Sequence, residues 1–236
     1  MQTKLAYYSA QGNRQRNEDS VSVLEFGNSV LAMVADGLGG LGRGEEASRA
    51  LIASVNSDLQ NKPVTEAGVC SAVRRANSSI LAMQTEEERM QSTIALLWFN
   101  QHTAVAANVG DSRVYQFRDG QIIFQSIDHS TAQIAVMLGD LKAEQIREFP
   151  DRSRLVRAVG LSEDLSVDTN LLQFRPGDSF LLCTDGFWEH ITEPDMCYYL
   201  QHSDNVRDWL RQMRDYVDAN AAKKPENNSA IVIGIE

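Results

Sequence analysis

The sequence predicts an α+β fold, a layered sandwich of helix pairs and antiparallel strand runs. Three observations carry that expectation. Residues 46–61 and 65–84 each repeat apolar residues at helical spacing, one stretch directly after the other. From Thr93 to Gln125 a run of short apolar segments follows, with the hairpin dipeptide Asp119-Gly120 inside it. Strand and helix then fail to alternate as a parallel sheet with crossover helices requires. With 236 residues, 43% of them hydrophobic and 23% charged, and no repeat or Pro/Gly/Ser-rich linker, the chain reads as one domain spanning 1–236.

Taken in order, the first element is the apolar run Val30 to Ala35, a buried strand ending at Asp36-Gly37. Ala47, Ala50, Leu51, Val55 and Leu59 mark the inner face of the first helix, and Val69, Val73, Ala76, Ile80 and Met83 that of the second. Strands are predicted from Thr93 to Phe99, Thr103 to Val109, Arg113 to Phe117 and Gln121 to Gln125, the last two joined by the Asp119-Gly120 turn. Residues 129–149 are mixed, predicting a helix, a loop broken at Gly139 and a second short helix. Further strands are expected near 155–159, 171–174 and 179–184. Thr192-x-x-Asp195 fits a helix start. Val206, Trp209, Leu210, Met213 and Val217 mark a last long helix, and residues 229–235 a final buried strand.

A net charge of −10 argues against a nucleic-acid partner, because phosphate backbones are met by basic surfaces. Cys70, Cys183 and Cys197 form no Cys-x-x-Cys pair and are odd in number, which points to a reducing compartment. Residues 1–10 lack the basic start and apolar stretch of a signal peptide, and no run approaches the ~18 apolar residues that cross a bilayer. A cytoplasmic monomer without membrane insertion is expected.

Asp36 and Asp185 each end an apolar run and each precede glycine, in segments about 150 residues apart. Carboxylates fixed at the ends of rigid strands suit hard cations that need several oxygens. Gly37-Leu38-Gly39-Gly40-Leu41-Gly42 satisfies the Gly-x-Gly-x-x-Gly pattern of dinucleotide-binding turns, but Asp36 would repel a pyrophosphate there. The acid expected about 20 residues on would be Asp58, inside a helical pattern. The glycines read better as room for a metal-bridging turn.

Further acidic segments complete a pattern: Arg14-Gln15-Arg16-Asn17-Glu18-Asp19, Gly110-Asp111-Ser112-Arg113, and Pro225-Glu226-Asn227-Asn228-Ser229. With Asp128-His129-Ser130, Arg157-Ala158-Val159-Gly160 and Thr184-Asp185-Gly186 they stand in the order found in the metal-dependent protein phosphatases, the PPM or type 2C serine/threonine phosphatases. The chain resembles their compact bacterial form from about residue 8 to 235. That resemblance implies a four-layer α-β-β-α sandwich, two antiparallel sheets flanked by helix pairs, and two Mg²⁺ or Mn²⁺ ions, bridged by Asp36. Glu18 and the Gly37 carbonyl would serve one ion, and Asp185 with Glu226 the other. Asp111 would join Asp185 on a third, weaker ion. Asp19 would orient water on the ions from behind the ligands, and Arg14 would hold phosphate through its planar fork of donors.

The chemistry implied is hydrolysis of phosphoserine and phosphothreonine in proteins, opposite a serine/threonine kinase. Monoester hydrolysis needs acceleration of up to ~10²¹-fold, and two metal ions both activate water and neutralise the phosphoryl group. Oxygen-only ligands favour Mg²⁺ or Mn²⁺ over Zn²⁺. His102, His190 and His202 fit no metal spacing, His129 reads as a hydrogen-bonded structural residue, and Arg16 and Asp140 as surface. The chain departs from the family twice. Leu38 stands where some members carry a proton-donating histidine, and Glu226 stands where aspartate is usual. Glu226 leaves open a pseudophosphatase that binds without turnover; a partner-switching phosphatase of a transcription regulator is the other alternative. The compact domain is also similar to phosphatases of type VI secretion loci.

Overall fold

β1 (Thr3–Ala10) and β2 (Asp19–Phe26) open the chain. Neither stands out in the apolar pattern, because both mix small polar residues with half-buried ones. The computed structural model describes residues 2–39, 42–85, 87–221 and 226–236, so Gly40, Leu41 and Pro225 of the motifs above lie outside the described residues. β3 (Ser29–Asp36) leads to α1 (Gly44–Leu59) and α2 (Glu66–Met83). Four strands follow: β4 (Ile94–Phe99), β5 (Ala104–Val109), β6 (Arg113–Arg118) and β7 (Gln121–Gln125). Next come α3 (Thr131–Leu138), a 3₁₀ helix (Ala143–Glu148), β8 (Asp168–Leu172) and β9 (Ser179–Cys183). The chain closes with α4 (Asp185–Trp188), α5 (Glu193–Gln201), α6 (Val206–Asn220) and β10 (Asn228–Ile235).

The strands form two antiparallel five-stranded sheets, ordered β1-β10-β9-β6-β7 and β2-β3-β4-β5-β8. β3 shows why its sequence is continuously apolar. Val30, Ala32 and Val34 meet Phe180, Leu182, Ile231 and Ile233 between the sheets, while Leu31 and Met33 point outward to Leu51, Val55, Val69 and Val73 of α1 and α2. Both faces of the strand are covered, so the usual period of two vanishes. On the far side, Trp209, Met213 and Val217 of α6 and Met196 of α5 cover Tyr115, Leu181 and Val232. The four layers expected from the sequence are present.

Two local expectations are corrected. Residues 155–159 form no strand; Leu155 and Val159 make isolated bridges to Ser130 and Ser92, because each backbone is met by one residue and not by a neighbouring strand. The strand placed near 171–174 runs Asp168–Leu172 instead, paired to β5. Asp185 begins the short helix α4, which tucks Phe187 and Trp188 into the core.

The topology positions the site. Asp19 opens β2 and Asp36 closes β3, and the register sets them opposite one another. β10, inserted between β1 and β9, brings Ser229 beside Thr184, whose N–H donates to the Ser229 carbonyl at 3.1 Å. Acids from both sheets therefore meet at one end of the sandwich.

Candidate metal centre

The backbone of Asp36 is held from the neighbouring strand. Its N–H donates to Thr93 Oγ1 at 3.0 Å, and its carbonyl accepts from Thr93 N–H at 2.8 Å and Ser92 Oγ at 2.9 Å. Gly37 N–H donates to the Glu18 carbonyl at 3.1 Å, so the two segments enter the site together. A Cβ on Gly39 would lie 1.7 Å from Glu18 Oε2, so the loop wraps directly over the Glu18 carboxylate.

At the other side of the cleft, Arg14 Nη2 donates to Glu226 Oε1 at 2.8 Å. Asn227 turns to the N-terminal loop: its Oδ1 accepts from Glu18 N–H at 2.9 Å, and its Nδ2 donates to the carbonyls of Gln11 and Arg16 at 2.7 and 3.0 Å. With Asn227 so engaged, Glu226 is the charged group of this segment on the cleft wall. The cleft, about 530 Å³, is lined by Arg14, Glu18, Asp36, Gly37, Asp185 and Glu226, together with Leu38, Gly39 and Asn227. Six of the eight residues singled out for the site thus line one concavity. Asp19 and Asp111 do not; both are buried behind it.

These carboxylates crowd one another in a dry place. Burial raises the Asp36 pKa well above its ordinary value, and Asp185, Asp19 and Asp111 raise it further. Burial also lifts Asp185 to about 7, with Glu189, Asp19 and Glu226 adding to it. Asp19 is pushed up to about 6 by burial, against hydrogen bonds from Ser229 and Thr184. For Asp111 burial acts first and Asp185 next. Removing apposed carboxylates from water is costly unless positive charge compensates.

Asp19 shows the same demand at one atom. Its Oδ2 accepts from Thr184 Oγ1 at 2.9 Å and Ser229 Oγ at 2.7 Å, whereas Oδ1 is buried without a hydrogen-bond partner. Among the described residues, no three His, Cys, Asp or Glu side chains close around a single point as a ready cage. Even so, a partnerless buried oxygen, an oxygen-only donor set and acids whose pKa values are raised by burial and by one another fit hard divalent cations. Carbonyl and carboxylate donors are present for them; the described lining includes no histidine or cysteine.

Three further lining residues have no signal in the sequence: Arg152, Ser153 and Glu189. Arg152 grips Glu189 through Nε and Nη2 at 2.6 and 2.8 Å. Arg147 donates to the carbonyls of Trp188 and Ile191, each at 3.0 Å. The 3₁₀ segment is thereby fastened to α4, the helix that Asp185 begins. Arg113 is structural: buried, it makes a two-pronged pair with Asp128 at 2.9 and 2.7 Å and lies 3.5 Å over the Trp188 ring. A larger groove of 590 Å³ runs between β1 and α6, but its Arg211 and Arg214 are paired with Asp215 and Asp218 and no carboxylates converge there. The acidic cleft is the better candidate.

Comparison with known proteins agrees with this geometry. The family model described as "Protein phosphatase 2C" matches residues 8–225. The serine/threonine protein phosphatase PstP of Mycobacterium tuberculosis is 31% identical over 193 residues, covering 80% of this chain and 37% of that protein. The chain thus spans little over a third of that relative's length. The catalytic domain of PstP solved in complex with two manganese ions superposes with a TM-score of 0.82 at 27% identity, covering 99% of each chain. PppA, described as a key regulatory component of T6SS in Pseudomonas aeruginosa, superposes with a TM-score of 0.76 at 28% identity, covering 98% of this chain and 97% of that one.

Proposed function

The chain belongs to the protein phosphatase 2C family, and from that premise we propose that it is a Mg²⁺- or Mn²⁺-dependent phosphatase of phosphoserine and phosphothreonine in proteins. The observation that carries the proposal is the meeting of Arg14, Glu18, Asp36, Asp185 and Glu226 in one cleft. Asp36 would bridge two ions, with Glu18 and the Gly37 carbonyl on one and Asp185 and Glu226 on the other; Asp111 and Asp185 would share a weaker third. When bound, such ions lower the pKa of water and neutralise charge on a phosphoryl group.

The chain's own groups do the rest. Arg14 presents a guanidinium at the cleft mouth, suited to two phosphate oxygens at once. Asp19, tethered by Thr184 and Ser229, keeps one bare oxygen with which it would orient water from behind the ligands. The described lining residues offer no histidine or cysteine nucleophile, which supports direct attack by water. Leu38 cannot donate a proton, so the departing serine or threonine oxygen takes its proton from solvent in the open cleft.

As a physiological setting we take a single catalytic domain acting as a cytoplasmic monomer against the products of a serine/threonine kinase. No described helix is long and apolar enough to cross a membrane, which is compatible with that setting. The likeness to PppA supports a place in type VI secretion. The test is hydrolysis of p-nitrophenyl phosphate and a phosphothreonine peptide with Mn²⁺, with and without chelator, beside Asp36→Asn. Metal-dependent turnover of both substrates, lost in the variant, is expected. Turnover unaffected by chelator, or none in purified folded protein, overturns the proposal.

A further inference from the structure

Asp111 occupies an unusual place in the chain. Gly110, Asp111 and Ser112 form the crossing between β5 and β6, which belong to different sheets. Gly110 makes that crossing at φ +96°, and a Cβ there would lie 2.6 Å from Thr93 Cγ2, so the backbone is pressed against the strand next to β3. A tight crossing of this kind holds one orientation only if its polar groups are fixed from outside.

Three groups fix it. Trp188 Nε1 donates to the Asp111 carbonyl at 2.9 Å, and Ser112 Oγ lies 2.6 Å from Thr93 Oγ1. The third is His129, 6% exposed, which engages the crossing twice: Gly110 N–H donates to its Nδ1 at 3.0 Å, and its own N–H donates to the Gly110 carbonyl at 2.9 Å. Accepting at Nδ1 commits the imidazole proton to Nε2. That nitrogen faces Asp168 Oδ2 at 3.2 Å and lies 3.0 Å from Arg157 Nη1, which holds the other Asp168 oxygen at 2.5 Å. Asp168 begins β8 and pairs with Asn108 of β5, two residues before the crossing. The imidazole thus ties the edge of one sheet to the turn that carries Asp111.

We propose that His129 is a positioning residue for Asp111: its Nδ1 lone pair fixes the Val109–Gly110 peptide through Gly110 N–H and its backbone N–H fixes the Gly110 carbonyl, Asp168 holds the required tautomer, and the Asp111 carboxylate is thereby aimed at Asp185 to share a weakly held divalent cation. The inference rests on the metal-dependent reading above. It gives the His129, Arg157 and Asp168 group, which lies outside the cleft, a defined task.

The test is Mn²⁺ binding followed by electron paramagnetic resonance of the free ion, in wild type, His129→Asn and His129→Gln. An asparagine carbonyl can sit where Nδ1 sits; a glutamine carbonyl extends to the position of Nε2. In wild type a tighter class and a weaker one are expected. His129→Gln should weaken the weaker class by roughly ten- to a hundredfold, as loss of a group that orients a ligand does, and leave the tighter class in place. His129→Asn should stay within about threefold of wild type, a rescue that mere packing does not explain. Equal weak-class affinity in His129→Gln and wild type, or equal loss in both folded variants, overturns the proposal. Should neither variant fold, the imidazole ¹⁵N spectrum of wild type decides, since a proton on Nδ1 excludes the acceptor role. Absence of any tight Mn²⁺ class in wild type would instead overturn the metal-dependent reading, and this inference with it.

Discussion

Glu226 is the residue at which the physics makes the sharpest demand. Its carboxylate meets Arg14 at 2.8 Å, yet both side chains are well exposed, so the pair adds little to stability and its charge is free to serve the cleft. Glu226→Gln, which keeps the shape and removes the charge, should weaken both Mn²⁺ affinity and turnover strongly, whereas Glu226→Asp should retain activity with a modest change in Mn²⁺ affinity. A metal titration beside a phosphatase assay checks both. Arg14→Ala should lower kcat/KM by the equivalent of roughly 1.5–3 kcal/mol, the worth of a hydrogen bond to a charged group, with Mn²⁺ affinity unmoved. Asp36 and Asp185 were legible in the sequence because an apolar run ending in Asp-Gly fixes both the strand and the place where its carboxylate emerges. Glu189 and Arg152 were not, since nothing local marks an acid at the C-terminal cap of a short helix or an arginine in a polar stretch. Their meaning comes from each other, across 37 residues of chain.

At the scale of elements, the 3₁₀ segment and α4 act as one unit through Arg147 and Arg152. Arg152→Ala should speed amide exchange in residues 143–153 and leave exchange in β3 and β4 unchanged, as mass spectrometry after deuterium exchange can measure. The long helices were legible because apolar spacing and tertiary burial agree; Leu51, Val55, Val69 and Val73 are all fully buried. Thr65 caps α2 by accepting from Gly68 N–H, so Thr65→Ala should cost about 1 kcal/mol in a denaturant melt. β1 and β2 escaped the sequence reading for a shared reason. Both are edge strands, half covered, and their residues carry no continuous apolar run. Residues 155–159 misled in the opposite direction: Ala158 and Val159 are buried like strand residues, but against α2 and β4 neighbours and not in a ladder.

For the whole molecule, the crowded acids set a pH dependence. Asp185 titrates near 7 and Asp19 near 6 in the folded state, against an ordinary 3.8, and Asp36 and Asp111 shift in the same direction. A folded pKa above the unfolded one means that the native state keeps protons the unfolded chain has released. Stability is then full below about pH 4 and is lost as pH rises through about 7. Asp168, Asp178 and Glu193 shift downward, so their contribution is gained above their unfolded values and is complete by about pH 5. His129 is shifted down by burial and gains stability as pH passes its ordinary 6.5, a single group against four. In chelator, the melting temperature should therefore fall between about pH 5 and 8, and Mn²⁺ should flatten that fall by replacing protons with a cation. Calorimetry in chelator that shows a rise over this range would contradict the electrostatic account. One feature of the topology bears on how the enzyme comes into being. β10 lies between β1 and β9, and with the residues just before it supplies Asn227 to Glu18 and Ser229 to Asp19. A nascent chain carries every acid of the cleft but Glu226 long before that strand can dock, and until then the two sheet ends that face each other have no common frame. The cleft is thus completed in one late, long-range step.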